Sequence, residues 1–288
     1  MGKSLAENFS EAAAIFEEAD RALGFSISIL CFEGPEDQLK LTENTQPALL
    51  TVSAAANAVL RAKGISPDYV AGHSLGEYSA LVAAGAIDFA DAVRLVKKRG
   101  QYMQEAVPPG VGAMAALLKL PEDQLAGVLA DAAQGEIVTA ANFNTPDQVV
   151  IAGHAGAVNR AAELAKARGA KRAILLQVSA PFHCPLMAPA QARLKNELDA
   201  TAFRDLAIPL VNNFAAREIR SGADARAGLF EQVPNPVRWT ESVRLLAQSG
   251  VTKFIEVGAG GVLSGLIRNI VPDAVTAKFG EAADLEKI

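Results

Sequence analysis

The sequence predicts an α/β protein in which a large domain with a mainly parallel sheet carries a smaller inserted unit. Helical segments alternate along the chain with short runs rich in Val and Ile, and this alternation is typical of helices packed on a mainly parallel sheet. A βαββαβ succession follows residue 109, which is the order of a ferredoxin-like unit. We therefore expect residues 1–108 and 180–288 to form the large domain and residues 109–179 the inserted unit.

The first segment is delimited by signals for helix starts and ends. Thr45 and Pro47 indicate the start of an Ala- and Leu-rich helix, since Thr caps helices and Pro is tolerated in their first turn. Gly64 ends this helix, and Asp88 caps a later one. The predicted elements are helices at 1–20, 45–64, 75–84 and 89–107, with a strand at 69–72.

The turn Pro108-Pro109-Gly110 separates the first segment from the inserted unit. A cleft is expected between the two units, because the chain returns to the large domain after residue 179. The inserted unit is predicted to contain strands at 112–120, 137–142, 148–153 and 172–178, and helices at 121–133 and 157–168. The last segment is predicted to contain helices at 185–200, 241–249 and 263–269, and strands at 208–212 and 253–257.

Composition excludes several classes of function. The chain has 288 residues and a formal net charge of −5, so no overall basic field attracts nucleic acid or an anionic membrane surface. The N-terminus lacks the features of a signal peptide, and no apolar run reaches the roughly 18 residues of a membrane span. Cys31 and Cys184 indicate neither a disulfide framework nor a metal site, so we expect a cytoplasmic protein.

The stretch Gly72-His73-Ser74-Leu75-Gly76 fits the G-x-S-x-G pattern of a nucleophile elbow. A predicted strand precedes it and a predicted helix follows, as the motif requires. The two glycines allow a sharp turn that exposes the Ser74 hydroxyl, and the backbone N–H of Leu75 then faces a developing oxyanion. The alternative is an ordinary glycine-rich turn between a strand and a helix.

A serine nucleophile needs a base, and the sequence offers three histidines. His73 precedes Ser74, so its side chain points away from the hydroxyl, and His154 ends a strand of the inserted unit. His183 lies in a proline-stiffened loop at the seam between the units, which favours it as the base over a purely structural role. In an α/β-hydrolase triad the acidic residue follows the serine along the chain and the histidine comes last. No acidic residue of this sequence evidently fits that order, since much of the chain follows His183. We therefore expect a Ser74–His183 dyad whose imidazole is held by a backbone carbonyl.

Arg99 falls on the apolar face of its predicted helix, together with Phe89, Val96 and Met103. A guanidinium directed inward requires an anionic partner. A substrate carboxylate in the cleft would supply one through a bidentate contact. An internal ion pair with Asp or Glu is the alternative.

Together these motifs resemble the malonyl-CoA:acyl carrier protein transacylases, whose relatives also occur within polyketide synthases. The resemblance covers almost the whole chain. It implies a large α/β-hydrolase-like domain with a ferredoxin-like insert, in agreement with the predicted order of elements. The stretches that carry it are Thr45-Gln46-Pro47-Ala48, Gly72-His73-Ser74-Leu75-Gly76-Glu77-Tyr78, Arg99-Gly100, Met103-Gln104, Asn142-Phe143-Asn144, Phe182-His183-Cys184, Asn235-Pro236-Val237-Arg238-Trp239 and Glu256-Val257-Gly258.

The resemblance implies a role for each site residue. Ser74 takes the malonyl group as an ester, His183 acts as base and then acid, and Arg99 pairs with the malonyl carboxylate. The backbone carbonyl of Gln232 holds the histidine, and Leu75 supplies half of the oxyanion hole. No cofactor is implied beyond the phosphopantetheine on the acceptor. The expected partners are malonyl-CoA and acyl carrier protein, and the protein itself is expected to be a monomer in fatty-acid or polyketide synthesis.

Two further expectations come from the resemblance. Phe182, directly before the histidine, corresponds to the malonyl-selective version of this position, because its bulk disfavours an α-methyl group. Family members also begin with a strand and a Gly-Gln-Gly-Ser loop, which this sequence does not contain before Met1-Gly2. We therefore expect that the sequence begins at an internal methionine of a longer chain.

Two alternatives to malonyl transfer follow from the same residues. A thioesterase or other acyl hydrolase could use the same dyad, and it would release free malonate without a thiol acceptor. A carrier-protein binding module with weakened catalysis is the second alternative, because the loop that supports the oxyanion hole is not in the sequence. The inward Arg99 favours transfer over hydrolysis.

Overall fold

The computed structural model describes residues 1–288 and contains thirteen α-helices and nine strands. The helices are α1 (Lys3–Asn8), α2 (Ser10–Leu23), α3 (Ile27–Glu33), α4 (Glu36–Leu39), α5 (Thr42–Ala62), α6 (Leu75–Ala83), α7 (Phe89–Glu105), α8 (Glu122–Ala133), α9 (Ala155–Ala167), α10 (Ala188–Ala200), α11 (Gly222–Gln232), α12 (Trp239–Gln248) and α13 (Val262–Ile270). The strands are β1 (Val70–Ala71), β2 (Gly112–Leu118), β3 (Val138–Thr145), β4 (Gln148–His154), β5 (Arg172–Leu175), β6 (Leu210–Val211), β7 (Glu218–Ile219), β8 (Lys253–Val257) and β9 (Val275–Phe279). Short 3-10 helical turns cover Pro185–Met187 and Ala282–Lys287.

The large unit contains two small sheets surrounded by helices. In the first sheet β1 pairs in parallel with β6, and β7 is antiparallel to β6. In the second, β8 and β9 are parallel. Helices α2, α5, α6 and α7 pack together around one continuous apolar core. The long helix α5 is buried along much of its length, which explains its Ala-rich sequence.

The inserted unit has a four-stranded antiparallel sheet in the order β3-β4-β2-β5. Along the chain the unit runs β2, α8, β3, β4, α9, β5, which is a βαββαβ succession. Helices α8 and α9 pack on the sheet through an apolar cluster separate from the core of the large unit. Alanines at 157, 161 and 165 allow α9 to approach the sheet closely.

The structure corrects two predicted helix boundaries. Helix α5 begins at Thr42 instead of Thr45, because the Leu41 carbonyl already accepts hydrogen bonds from the N–H groups of Asn44 and Thr45. Pro47 therefore lies inside the helix, where burial against the core offsets its missing donor. The predicted helix at 1–20 is divided into α1 and α2 by the extended backbone of Phe9.

No helix of the chain meets both requirements of a membrane-crossing segment, sufficient length and an apolar surface.

Candidate active site

Ser74 lies on the turn that joins β1 to α6. Its backbone has φ 52° and ψ −107°, a conformation that residues other than glycine rarely adopt. A Cβ atom at Gly72 would lie 2.0 Å from the backbone of Gly76, so this close approach requires glycine. The turn therefore has the geometry of a nucleophile elbow, with the half-buried Ser74 at the start of a helix.

The Ser74 hydroxyl is in contact with His183. The distance from Ser74 Oγ to His183 Nε2 is 2.7 Å, and His183 Nδ1 lies 2.9 Å from the backbone carbonyl of Gln232. A carbonyl only accepts hydrogen bonds, so Nδ1 carries the proton and Nε2 is free to accept the serine proton. Burial, and then the positive charge of Arg99, lower the pKa of His183 to about 3. The imidazole is therefore neutral at pH 7 and able to act as a base.

Arg99 lies beside the Ser74 hydroxyl and is 1% exposed. Its Nη1 donates to Gln46 Oε1 at 2.7 Å, and its Nη2 donates to Gln232 Oε1 at 2.8 Å and to Ser74 Oγ at 3.1 Å. All of these acceptors are neutral. Arg99 thus forms no ion pair within the chain, in contrast to the internal ion pair that the sequence left open. A buried guanidinium whose hydrogen-bond acceptors are all neutral is suited to bind an anionic ligand.

Leu75 directly follows Ser74 in the chain, and Phe182 directly precedes His183. Leu75 is the first residue of α6, and its backbone N–H has no acceptor within the chain. The N-terminus of a helix favours negative charge, so this N–H is suited to a developing oxyanion. Phe182 is partly buried and packs against both the large core and a small cluster that includes Met114 of the inserted unit.

The rings of the other two histidines, His73 and His154, form their hydrogen bonds away from the Ser74 hydroxyl. His73 Nε2 contacts Asn144 Oδ1 at 2.8 Å, and its ring lies 5.7 Å from that of Trp239. His154 Nδ1 accepts the backbone N–H of Ile137 at 2.9 Å within the inserted unit. Neither ring reaches Ser74.

Sequence reasoning missed three buried polar residues around the site, namely Gln46, Glu77 and Asn213. Asn213 is fully buried, and its side chain contacts the backbone of the serine turn on both sides of His73. The available signal was a polar side chain in an apolar stretch. Asn213 follows the strand residues Leu210 and Val211, and Glu77 is the one charged residue of α6.

No group of three or more His, Cys, Asp or Glu side chains comes together as a metal site would require. The side chains that meet at the site are those of Ser74, Arg99, His183, Gln46 and Gln232.

The profile of the acyl transferase domain matches residues 1–277 of the chain. The chain belongs to the acyl transferase family. The malonyl CoA-acyl carrier protein transacylase of Bacillus subtilis is 50% identical over 271 residues, covering 94% of this chain and 86% of that protein. The enzyme of the same name from Escherichia coli K12 is 49% identical over 274 residues, covering 95% of this chain and 88% of that protein.

Solved acyl transferases have the same fold. The acyl carrier protein S-malonyltransferase of Vibrio cholerae superposes with a TM-score of 0.97 at 45% identity, covering 100% of this chain and 94% of that one. A malonyl-transacylase in complex with a type II PKS acyl-carrier protein also gives a TM-score of 0.97 at 45% identity, covering 100% of this chain and 93% of that one. The α/β class and the resemblance to malonyl-CoA:acyl carrier protein transacylases are both confirmed.

Proposed function

We propose that this acyl transferase moves a malonyl group from malonyl-CoA to the phosphopantetheine thiol of acyl carrier protein, through an ester on Ser74. The observation that carries the proposal is the position of Arg99, a buried guanidinium whose hydrogen-bond acceptors are all neutral, 3.1 Å from Ser74 Oγ. A malonyl carboxylate paired with Arg99 would bring the thioester carbonyl to the nucleophile. The relatives named above support the same reaction.

In the proposed mechanism, Ser74 Oγ attacks the thioester carbonyl while His183 Nε2 accepts its proton. The Leu75 N–H stabilises the oxyanion, and the Gln232 carbonyl holds the imidazolium through Nδ1. The C–S bond then breaks, and the proton on Nε2 passes to the coenzyme A thiolate. In the second half the carrier thiol gives its proton to Nε2 and its sulfur attacks the carbonyl of the Ser74 ester. The ester C–O bond then breaks, and the proton on Nε2 passes to Ser74 Oγ, which restores the dyad.

The substrate carboxylate also assists proton transfer in this proposal. Burial and, after it, the charge of Arg99 lower the pKa of His183. A carboxylate bound to Arg99 offsets that charge, so His183 accepts a proton more readily once malonyl is in place.

The proposal also covers the domain organisation, the cofactor requirement, the cellular location and the oligomeric state of the protein. The site combines residues of 1–108 and 180–288, and we assign residues 109–179 to the separate inserted unit. The reaction requires no cofactor beyond the phosphopantetheine of the acceptor. We assign the protein to the cytoplasm as a monomer that serves fatty-acid or polyketide synthesis.

The proposal is tested by the intact mass of the chain after brief exposure to malonyl-CoA, followed by phosphopantetheinylated acyl carrier protein. We expect a malonyl adduct that is absent in Ser74→Ala and that moves to the carrier. Release of free malonate without carrier would indicate a hydrolase instead. Tight carrier binding without any adduct would indicate a binding module.

Phe182 is proposed to restrict the acyl group, since it packs where the two units meet, directly before the base. We expect Phe182→Ser to raise the rate of methylmalonyl loading relative to malonyl loading, because the smaller side chain leaves room for the α-methyl group. Mass measurements with the two coenzyme A esters give this ratio, and Phe182→Leu serves as a control that keeps an apolar side chain. An unchanged ratio in Phe182→Ser would rule out the role.

A further inference from the structure

Glu77 is a buried carboxylate that the proposed mechanism does not use. It is fully buried on α6, one turn after the nucleophile. Its Oε2 accepts hydrogen bonds from the Asn213 backbone N–H at 3.0 Å and from Gln232 Nε2 at 2.7 Å. No Lys or Arg forms a salt bridge with it, and burial raises its pKa to about 7, so ionising this carboxyl costs free energy.

The hydrogen bond from the Asn213 N–H connects Glu77 to the serine turn. The Asn213 side chain donates from Nδ2 to the Gly72 carbonyl at 2.7 Å and accepts the Ser74 N–H at Oδ1 at 2.6 Å. These two bonds hold the backbone on either side of His73. A non-glycine residue at positive φ persists only when its surroundings fix it, and Asn213 supplies that restraint while Glu77 fixes Asn213.

The hydrogen bond from Gln232 Nε2 connects Glu77 to Arg99. Oε2 of Glu77 is the hydrogen-bonded oxygen, and it accepts whether the carboxyl is ionised or carries its proton on Oε1, so it requires the NH₂ group of Gln232 to face it. The opposite end of the same amide, Oε1, then faces Arg99 Nη2 at 2.8 Å, and Nε2 also reaches the Ser74 carbonyl at 3.0 Å. With the amide reversed, two donors would face each other and Arg99 would lose an acceptor.

We propose that Glu77 is a positioning residue, which fixes the serine turn through Asn213 and the orientation of Arg99 through the side-chain amide of Gln232. The inference rests on the proposed function, because positioning is meaningful only if Ser74 is a nucleophile. It assigns Gln232 a second contribution besides its backbone carbonyl. It also explains why a carboxylate is kept in an apolar helix.

Two variants distinguish the effect of the length of the Glu77 side chain from the effect of its charge. Glu77→Asp keeps the carboxyl group but moves its acceptor oxygen away from the Asn213 N–H and Gln232 Nε2. Glu77→Gln keeps an acceptor oxygen near these donors and removes the ionisable group. Leu81→Ala is the matched control, since Leu81 is also fully buried on α6 and its side chain has no hydrogen-bonding atom. The measured quantity is the rate at which a fluorophosphonate probe labels Ser74 in folded protein, with malonyl loading measured in parallel.

We expect Glu77→Asp to slow labelling at least about tenfold and Glu77→Gln to stay within about threefold of the unsubstituted protein, since small misplacements of reacting groups have large effects on rate. Leu81→Ala should lower the melting temperature without slowing the labelling of folded protein. Equal slowing in Glu77→Gln and Glu77→Asp, an unchanged rate in Glu77→Asp, or equal slowing in Leu81→Ala would overturn the inference. Rapid labelling of the unsubstituted protein without malonyl loading would instead refute the proposed function, and the labelling rates would still decide the role of Glu77.

Discussion

Replacement of His183 by Ala should slow acylation of Ser74 by malonyl-CoA about 10³- to 10⁴-fold, the upper range for loss of a general base. His183 Nε2 is the acceptor 2.7 Å from Ser74 Oγ, and the serine hydroxyl is a weak nucleophile without it. The measurement is the single-turnover rate of malonyl adduct formation by intact mass. Residual activity above the rate in Ser74→Ala is expected, because Arg99 and the Leu75 N–H would still bind and polarise the substrate.

His154→Ala is a suitable control for this experiment. His154 Nδ1 contacts only the backbone of the inserted unit, so its loss affects that unit and leaves Ser74 with its base. We expect acylation within about twofold of the unsubstituted rate, because the hydrogen bond of the His154 ring does not connect to Ser74, His183 or Arg99. A His183→Ala variant that kept a tenth or more of the rate would exclude His183 as the base.

The serine turn could be predicted from the sequence because all of its determinants are local. The strand, both glycines and the following helix lie within a few residues of Ser74, and each constrains the backbone through its own conformational preferences. The placement of His183 also followed from the chain, since the flanking prolines stiffen a loop at the seam of the two units. The inward direction of Arg99 followed from helical periodicity.

The hydrogen-bond partners of these residues could not be predicted, because they are distant in the sequence. Periodicity shows which face of a helix a side chain occupies but gives no distance between side chains of different elements. Asn213 meets the serine turn through the parallel pairing of β1 with β6, and each of those strands is only two residues long. Helix α11 was also missed, since it is rich in Gly and Ala and lacks an apolar stripe. The only local signal for it is the N-cap Ser221, whose hydroxyl accepts the Asp224 N–H.

The second large effect concerns substrate choice. Arg99→Ala should reduce malonyl loading roughly a hundredfold or more while acetyl loading falls only a few-fold, since a hydrogen bond between charged groups contributes about 1.5–3 kcal/mol and an acetyl group makes none with Arg99. Removal of the guanidinium also removes a charge that lowers the pKa of His183, so the base should remain competent for acetyl transfer. The two loading rates are compared by intact mass at equal concentrations of malonyl-CoA and acetyl-CoA.

Arg99→Lys distinguishes a charge effect from a geometric one. An ammonium keeps the positive charge but cannot form the parallel pair of hydrogen bonds that a guanidinium offers to a carboxylate, so malonyl loading should recover only in part. Substitution of Arg99 also leaves Gln46 Oε1 and Gln232 Oε1 without a donor, which would lower stability independently of substrate. That effect would act on both acyl groups alike. An equal loss of malonyl and acetyl loading would therefore assign Arg99 a structural role, whereas a loss confined to malonyl would mean that the guanidinium selects the substrate by its carboxylate.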